Sequence, residues 1–313
     1  QPAAPASMKF SIYQESRRGG RKYNQDRVGY SYSRDSLLLV VADGMGGHLH
    51  GEVAAQITLE LLAELFQKKA KPVINAPLVF LAESLNKAHD AILAYSNNHQ
   101  LLETPRTTCV ACLVQDGMAY WAHVGDSRLY LVRKGKLVAQ TRDHSKVQQM
   151  VDSGVITEAE AQVHPERNKI YNCLGGLHPP EVELGVKTAL HENDSILLST
   201  DGFWGPLKVE EVCNYLGSYP AMFALPQLMD QAELRAGKHS DNLSVLGITW
   251  LEEDTTADAQ TTIQTKTMPL DSFTTKLKEL DAEQILKGDK DVSEMDIEAA
   301  IAEIKATIEK YSK

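Results

Sequence analysis

Between residues 107 and 141 several short apolar strands follow one another so closely that they can only run antiparallel. Gln115-Asp116-Gly117 separates two of them and Lys134-Gly135 another two. Asp-Gly suits a tight hairpin, whereas parallel neighbours need a crossover of a dozen residues or more. A doubly wound parallel sheet is therefore excluded. Further strands are expected over 9–16, 28–33, 36–42, 195–200 and 243–250, with helical periodicity over 51–67, 77–97, 209–216 and 221–236. Within 36–42 the run Leu37–Ala42 is continuously apolar, as suits a sheet covered on both faces. Two groups of antiparallel strands with helices outside them predict a layered α+β sandwich.

The remaining segments differ in character. Residues 145–178 hold short helical pieces, Pro165 and Gly175-Gly176, and read as an insertion lying over the core. Residues 252–268 are rich in Thr, Gln and acids with almost no large apolar side chain, as in a linker. Beyond them, 269–313 carry two amphipathic stripes, Leu270-Phe273-Leu277-Leu280 and Ile297-Ile301-Ile304-Ile308, and read as a helical appendage. Residues 252–313 contain 15 acidic and 8 basic residues, which is most of the chain's net charge of -10. That excess of acid argues against nucleic-acid binding, which normally needs a basic patch. No apolar run approaches the roughly 20 residues that span a bilayer. Residues 1–7 read as a tag remnant ahead of Met8, no secretory pattern follows, and a cytoplasmic location is expected.

Cys109 and Cys112 form a C-x-x-C, but on a strand residues three apart point to opposite faces, so they cannot share a metal. Four aspartates hold more promise. Asp43 ends an apolar strand and leads into Gly44-Met45-Gly46-Gly47. Asp201 ends another, Asp241 begins the last strand, and Asp26 lies just before the second. Buried carboxylates are costly unless a cation or basic partner is shared. All-oxygen donors favour magnesium or manganese over zinc.

These segments resemble the metal-dependent, type 2C protein serine/threonine phosphatases in their bacterial form. The matching stretches, in family order, are Arg21-Lys-Tyr-Asn-Gln-Asp26, Val41-Ala-Asp-Gly-Met-Gly-Gly-His48 and Val124-Gly-Asp-Ser-Arg-Leu-Tyr130. They continue with Arg142-Asp-His-Ser145, Ser199-Thr-Asp-Gly-Phe-Trp204 and Asp241-Asn-Leu-Ser244. The resemblance covers residues 8–251. It implies an α-β-β-α sandwich of two antiparallel sheets, a flap over 145–178, and a metal site at one end holding two Mn2+ or Mg2+ ions. Carried over, Asp43 bridges the two ions, the Gly44 carbonyl binds one of them, and Asp201 and Asp241 complete the first ion's shell. Asp26 acts through a bound water on the second ion, Arg21 binds phosphate, and Asp126 is the ligand of a third, weaker ion. The resemblance also implies attack on phosphoserine or phosphothreonine by a hydroxide bridging the ions, with no covalent phosphoenzyme.

Two departures from the family pattern stand out. Gln25 replaces a common Glu, and Met45 sits where eukaryotic relatives have a histidine proposed as general acid. His48 is either a substitute acid or a solvated loop residue. Asp126 has a bland alternative, a turn residue paired with Arg128. Arg142, Lys146, Arg167 and Lys169 make the flap locally basic, as a phosphopeptide surface or an ordinary solvated face. The rival functions are a catalytically silent phosphatase-like binding module and a phosphodiesterase. The expected partners are phosphoproteins, a cognate Ser/Thr kinase, and a protein contacted by the appendage.

Overall fold

Alternation of side chains along each strand sorts the apolar residues into three separate cores, which sets the number of layers. The computed structural model describes residues 8–46, 51–251 and 264–267, together with Ala306, Lys310 and Tyr311. The chain begins with β1 (Phe10–Arg17), β2 (Asp26–Tyr32) and β3 (Ser36–Met45), then α1 (Gly51–Lys69) and α2 (Pro77–Asn98). Next come β4 (Arg106–Thr107), β5 (Cys109–Gln115), β6 (Met118–Val124), β7 (Arg128–Arg133) and β8 (Lys136–Gln140). The flap carries α3 (Lys146–Asp152) and α4 (Glu158–Val163), and is followed by β9 (Glu183–Leu184) and β10 (Thr188–Ala189). The chain continues through β11 (Ser195–Ser199), α5 (Asp201–Trp204), α6 (Val209–Ser218), α7 (Ala221–Ala236), β12 (Leu243–Trp250) and β13 (Gln264–Thr267).

One sheet has the order β1-β12-β11-β7-β8 and the other β10-β6-β5-β3-β2-β13, with β4 and β9 attached to the second. The strand pairs are antiparallel, as the hairpin spacing predicts. Leu37, Leu39, Val41, Val110, Cys112, Leu129, Ile196 and Ile248 pack between the sheets. Leu38, Val40, Cys109 and Leu113, on the opposite face of the same strands, pack under α1 and α2. Leu197, Val245 and Tyr130 meet Leu225, Leu228 and Met229 of α7 on the far side. The architecture is α-β-β-α. Cys109 and Cys112 lie in different cores, so the strand argument against a shared metal holds.

Three details depart from the sequence reading. β3 runs on through Asp43 to Met45, because Gly44 and Met45 find ladder partners in Thr107 and Arg106 of β4. β2 starts at Asp26 rather than at residue 28, so Asp26 lies within the strand and not ahead of it. Within the stretch read as linker, Gln264–Thr267 pairs with Tyr32–Gly29 and covers the β2 edge. His48 and the two appendage helices lie outside the described residues, although Tyr311 packs against the α1–α2 core. Among the described residues no helix is long and apolar enough to cross a membrane.

Candidate metal centre

The start of β2, the end of β3, the β6–β7 turn, the end of β11 and the approach to β12 all fall at one end of the sandwich. Asp26 and Asp43 are direct cross-strand partners. From the other sheet, the Thr200 and Ser244 hydroxyls donate to Asp26 Oδ2 at 2.9 and 2.6 Å. Asp201 opens α5, and Asp241 lies two residues before β12. Asp26 and Asp126 are buried, while Asp43, Asp201 and Asp241 are half-buried. The five aspartates implied by the family pattern are thus brought to one end of the fold.

The electrostatics are those of crowded negative charge. Burial pushes Asp26 up to about 7, with Asp201 and Asp241 adding to the rise against the pull of the Ser244 and Thr200 hydroxyls. Burial, then Asp241, lifts Asp201 to about 6. Burial, then Asp26, Asp201 and Asp126, holds Asp43 well above the ordinary carboxylate range. Asp126 is raised in the same way by burial and by Asp201. Asp26 Oδ1 and Asp126 Oδ1 are buried without a hydrogen-bond partner. Orphaned carboxylate oxygens are expensive unless something positive occupies the space before them. The donors are all oxygen, which fits Mn2+ or Mg2+. Glycine is required at position 44, where a Cβ would lie 2.2 Å from the Gly51 carbonyl oxygen.

Arg21 is bound in a fork to Asp241, with Nε to Oδ1 at 2.8 Å and Nη2 to Oδ2 at 2.6 Å. Its side chain is 58% exposed, at the edge of the carboxylate cluster. Gln25 Nε2 donates to Glu52 Oε2 at 3.2 Å, which brings a carboxylate from α1 beside the amide. Asp126 does lie in the β6–β7 turn, but the pairing with Arg128 in its bland alternative does not form. Arg128 pairs instead with Asp143, Nε and Nη2 each at 2.8 Å. The flap cations are largely spent on neighbours. Arg142 pairs with Asp152, and Lys146 and Lys169 both pair with Glu166.

Thr200, Ser244 and Trp204 escaped the sequence reading as site residues. Each stands inside a quoted motif, within three residues of a site aspartate. That adjacency was the available signal.

A family model described as protein phosphatase 2C matches residues 14–236. The chain belongs to the protein phosphatase 2C family. The serine/threonine phosphatase stp of Listeria monocytogenes is 32% identical over 201 residues, 63% of this chain and 79% of its own length. The crystal structure of Stp1 from Staphylococcus aureus matches with a TM-score of 0.71 and 29% identity, covering 80% of this chain and 99% of that one. The catalytic domain of the phosphatase PstP in complex with 2 manganese ions matches with a TM-score of 0.66 and 31% identity, covering 78% and 99%. This phosphatase is accordingly a metal-dependent serine/threonine protein phosphatase, and the silent-module alternative is not favoured.

Proposed function

We propose that this phosphatase hydrolyses phosphoserine and phosphothreonine at the carboxylate cluster, with Mn2+ or Mg2+ as resident ions. The observation that carries the residue assignment is the convergence of aspartates from both sheets around two buried carboxylate oxygens that have no hydrogen-bond partner. Asp43 would bridge two ions. The Gly44 carbonyl, Asp201 and Asp241 would complete the first, and Asp26 would act on the second through water. Asp126 would hold a third, weaker ion. When bound, the ions supply Lewis-acid activation of water for in-line attack at phosphorus. The protein's share is positioning and charge. Thr200 and Ser244 fix Asp26 Oδ2, which leaves Oδ1 to accept from water. Arg21, a planar fork of donors at the exposed edge of the cluster, suits the phosphate oxygens and offsets their charge.

The substrates are phosphoproteins, and a cognate Ser/Thr kinase must supply them. We place both in the cytoplasm, with the C-terminal segment as the contact for a protein partner. Turnover of p-nitrophenyl phosphate, of a diester and of a phosphothreonine peptide, each with manganese and after chelation, tests the reading. Metal-dependent cleavage of monoesters is expected. Undiminished turnover after exhaustive chelation, or preference for the diester, would overturn it.

A further inference from the structure

We infer that His144 is a positioning residue for Asp126, tying the root of the flap to the metal centre. The inference rests on the reading of Asp126 as a ligand. His144 grips Gly125, the residue before Asp126, from both sides. Its backbone N–H donates to the Gly125 carbonyl at 3.0 Å, and its Nδ1 accepts the Gly125 N–H at 3.0 Å. The next residue back, Asp143, holds Arg128 by two bonds. Arg128 lies 3.5 Å from the centroid of the Trp204 ring, and Trp204 Nε1 donates to the Asp126 carbonyl at 3.0 Å. The backbone around Asp126 is therefore held by the flap root and by α5, while its own Oδ1 has no partner. The turn has little freedom of its own. Gly125 has φ of +105°, and a Cβ there would lie 2.6 Å from Thr108 Cγ2.

The same histidine collects the far end of the flap. Asn172 Nδ2 donates to His144 Nδ1 at 2.8 Å, and the Tyr171 N–H donates to the His144 carbonyl at 3.1 Å. On the other side His144 stacks on His123, ring centroids 4.6 Å apart, and His123 Nε2 donates to the Arg142 carbonyl at 2.7 Å. A shift of either flap end thus reaches Asp126 through one imidazole.

Nitrogen and oxygen atoms of His123, His144 and Glu183 lie within 4.8 Å of one another, close enough to suggest a cation site. His144 argues against it. Its Nδ1 accepts two N–H donors, one of them the Gly125 backbone amide, so the ring proton sits on Nε2, directed at Glu183 Oε2 3.1 Å away. A cation at Nε2 would need that proton on Nδ1, facing both donors. The trio is built as a hydrogen-bonded anchor.

The test uses the full chain and two readouts. His144→Ala removes the acceptor for the Gly125 amide, whereas His144→Asn places an amide oxygen close to the position of Nδ1. In chelated protein, hydrogen exchange across residues 125–128 should rise at least tenfold in His144→Ala, with the inter-sheet core unchanged, and return towards wild type in His144→Asn. In calorimetric titration with manganese, the weakest binding event should weaken about tenfold in His144→Ala and recover in His144→Asn. Asp143→Asn, which loosens the other half of the grip, is read in the same way and serves where the alanine variant does not fold. Unchanged exchange, or raised exchange with an unchanged isotherm, overturns the inference. An Asp126→Asn isotherm identical to wild type refutes the ligand role itself, whatever the exchange shows, and the link from His144 to metal falls with it.

Discussion

Metal binding here should be strongly linked to protons, and the structure sets the size of the linkage. Asp26 is raised to about 7 and Asp201 to about 6, both above the ordinary carboxylate value. A raised carboxyl keeps its proton in the metal-free protein, and a cation must displace that proton to bind. The sign is therefore fixed: affinity rises with pH and levels off above the raised values. At pH 6 Asp26 carries about 0.9 of a proton and Asp201 about 0.5, while at pH 8 both are nearly bare. Integrated over that interval, Asp26 contributes about tenfold and Asp201 about twofold, or about 20-fold together. Asp43 and Asp126 are raised in the same direction and steepen the dependence further. Calorimetric titration with manganese at pH 6, 7 and 8, in two buffers of different ionisation enthalpy, gives affinity and proton release together. Release of more than one proton at pH 6 is expected. Asp26→Asn should remove about tenfold of the pH dependence. An isotherm insensitive to pH, with no proton release at pH 6, would refute the reasoning.

Ser244→Ala deletes the 2.6 Å donor to Asp26, a buried bond to a charged group that contributes about 1.5–3 kcal/mol; manganese affinity should drop tenfold or more by calorimetry, and a change within twofold would count against the assignment of Asp26. Gly125→Ala forces a side chain into a left-handed backbone against Thr108 and should cost about 2–3 kcal/mol in denaturant unfolding; Thr108→Ser in the same chain, which removes Cγ2, should recover part of the loss. Truncation after Leu251 should leave hydrolysis of p-nitrophenyl phosphate within twofold of the full chain. It should also raise concentration-dependent self-association in light scattering, because the β2 edge loses its Gln264–Thr267 cover.

Much of this molecule could be read from local pattern. The Asp116-Gly117 hairpin forces antiparallel pairing, and the apolar run from Ser36 places a strand buried on both faces. Two-residue alternation sends Cys109 and Cys112 to different cores, and helical periodicity locates α7 at the residues it occupies. Aspartates beside apolar strands mark the site because carboxylates are costly there. Such signals span a few residues, and each is decided by the chain's own periodicity. What they cannot carry is which distant groups meet. Asp26 and Ser244 are 218 residues apart, and only the closing of the two sheets brings that hydroxyl onto the carboxylate. Arg128 takes Asp143 rather than the nearer Asp126 because the flap root folds back over the turn. A polar stretch with linker composition supplies a strand because β2 offers unpaired backbone groups at its edge. Composition sets where the chain can turn and what it must bury; the partner of each polar group is chosen by the packing of layers that are far apart in sequence.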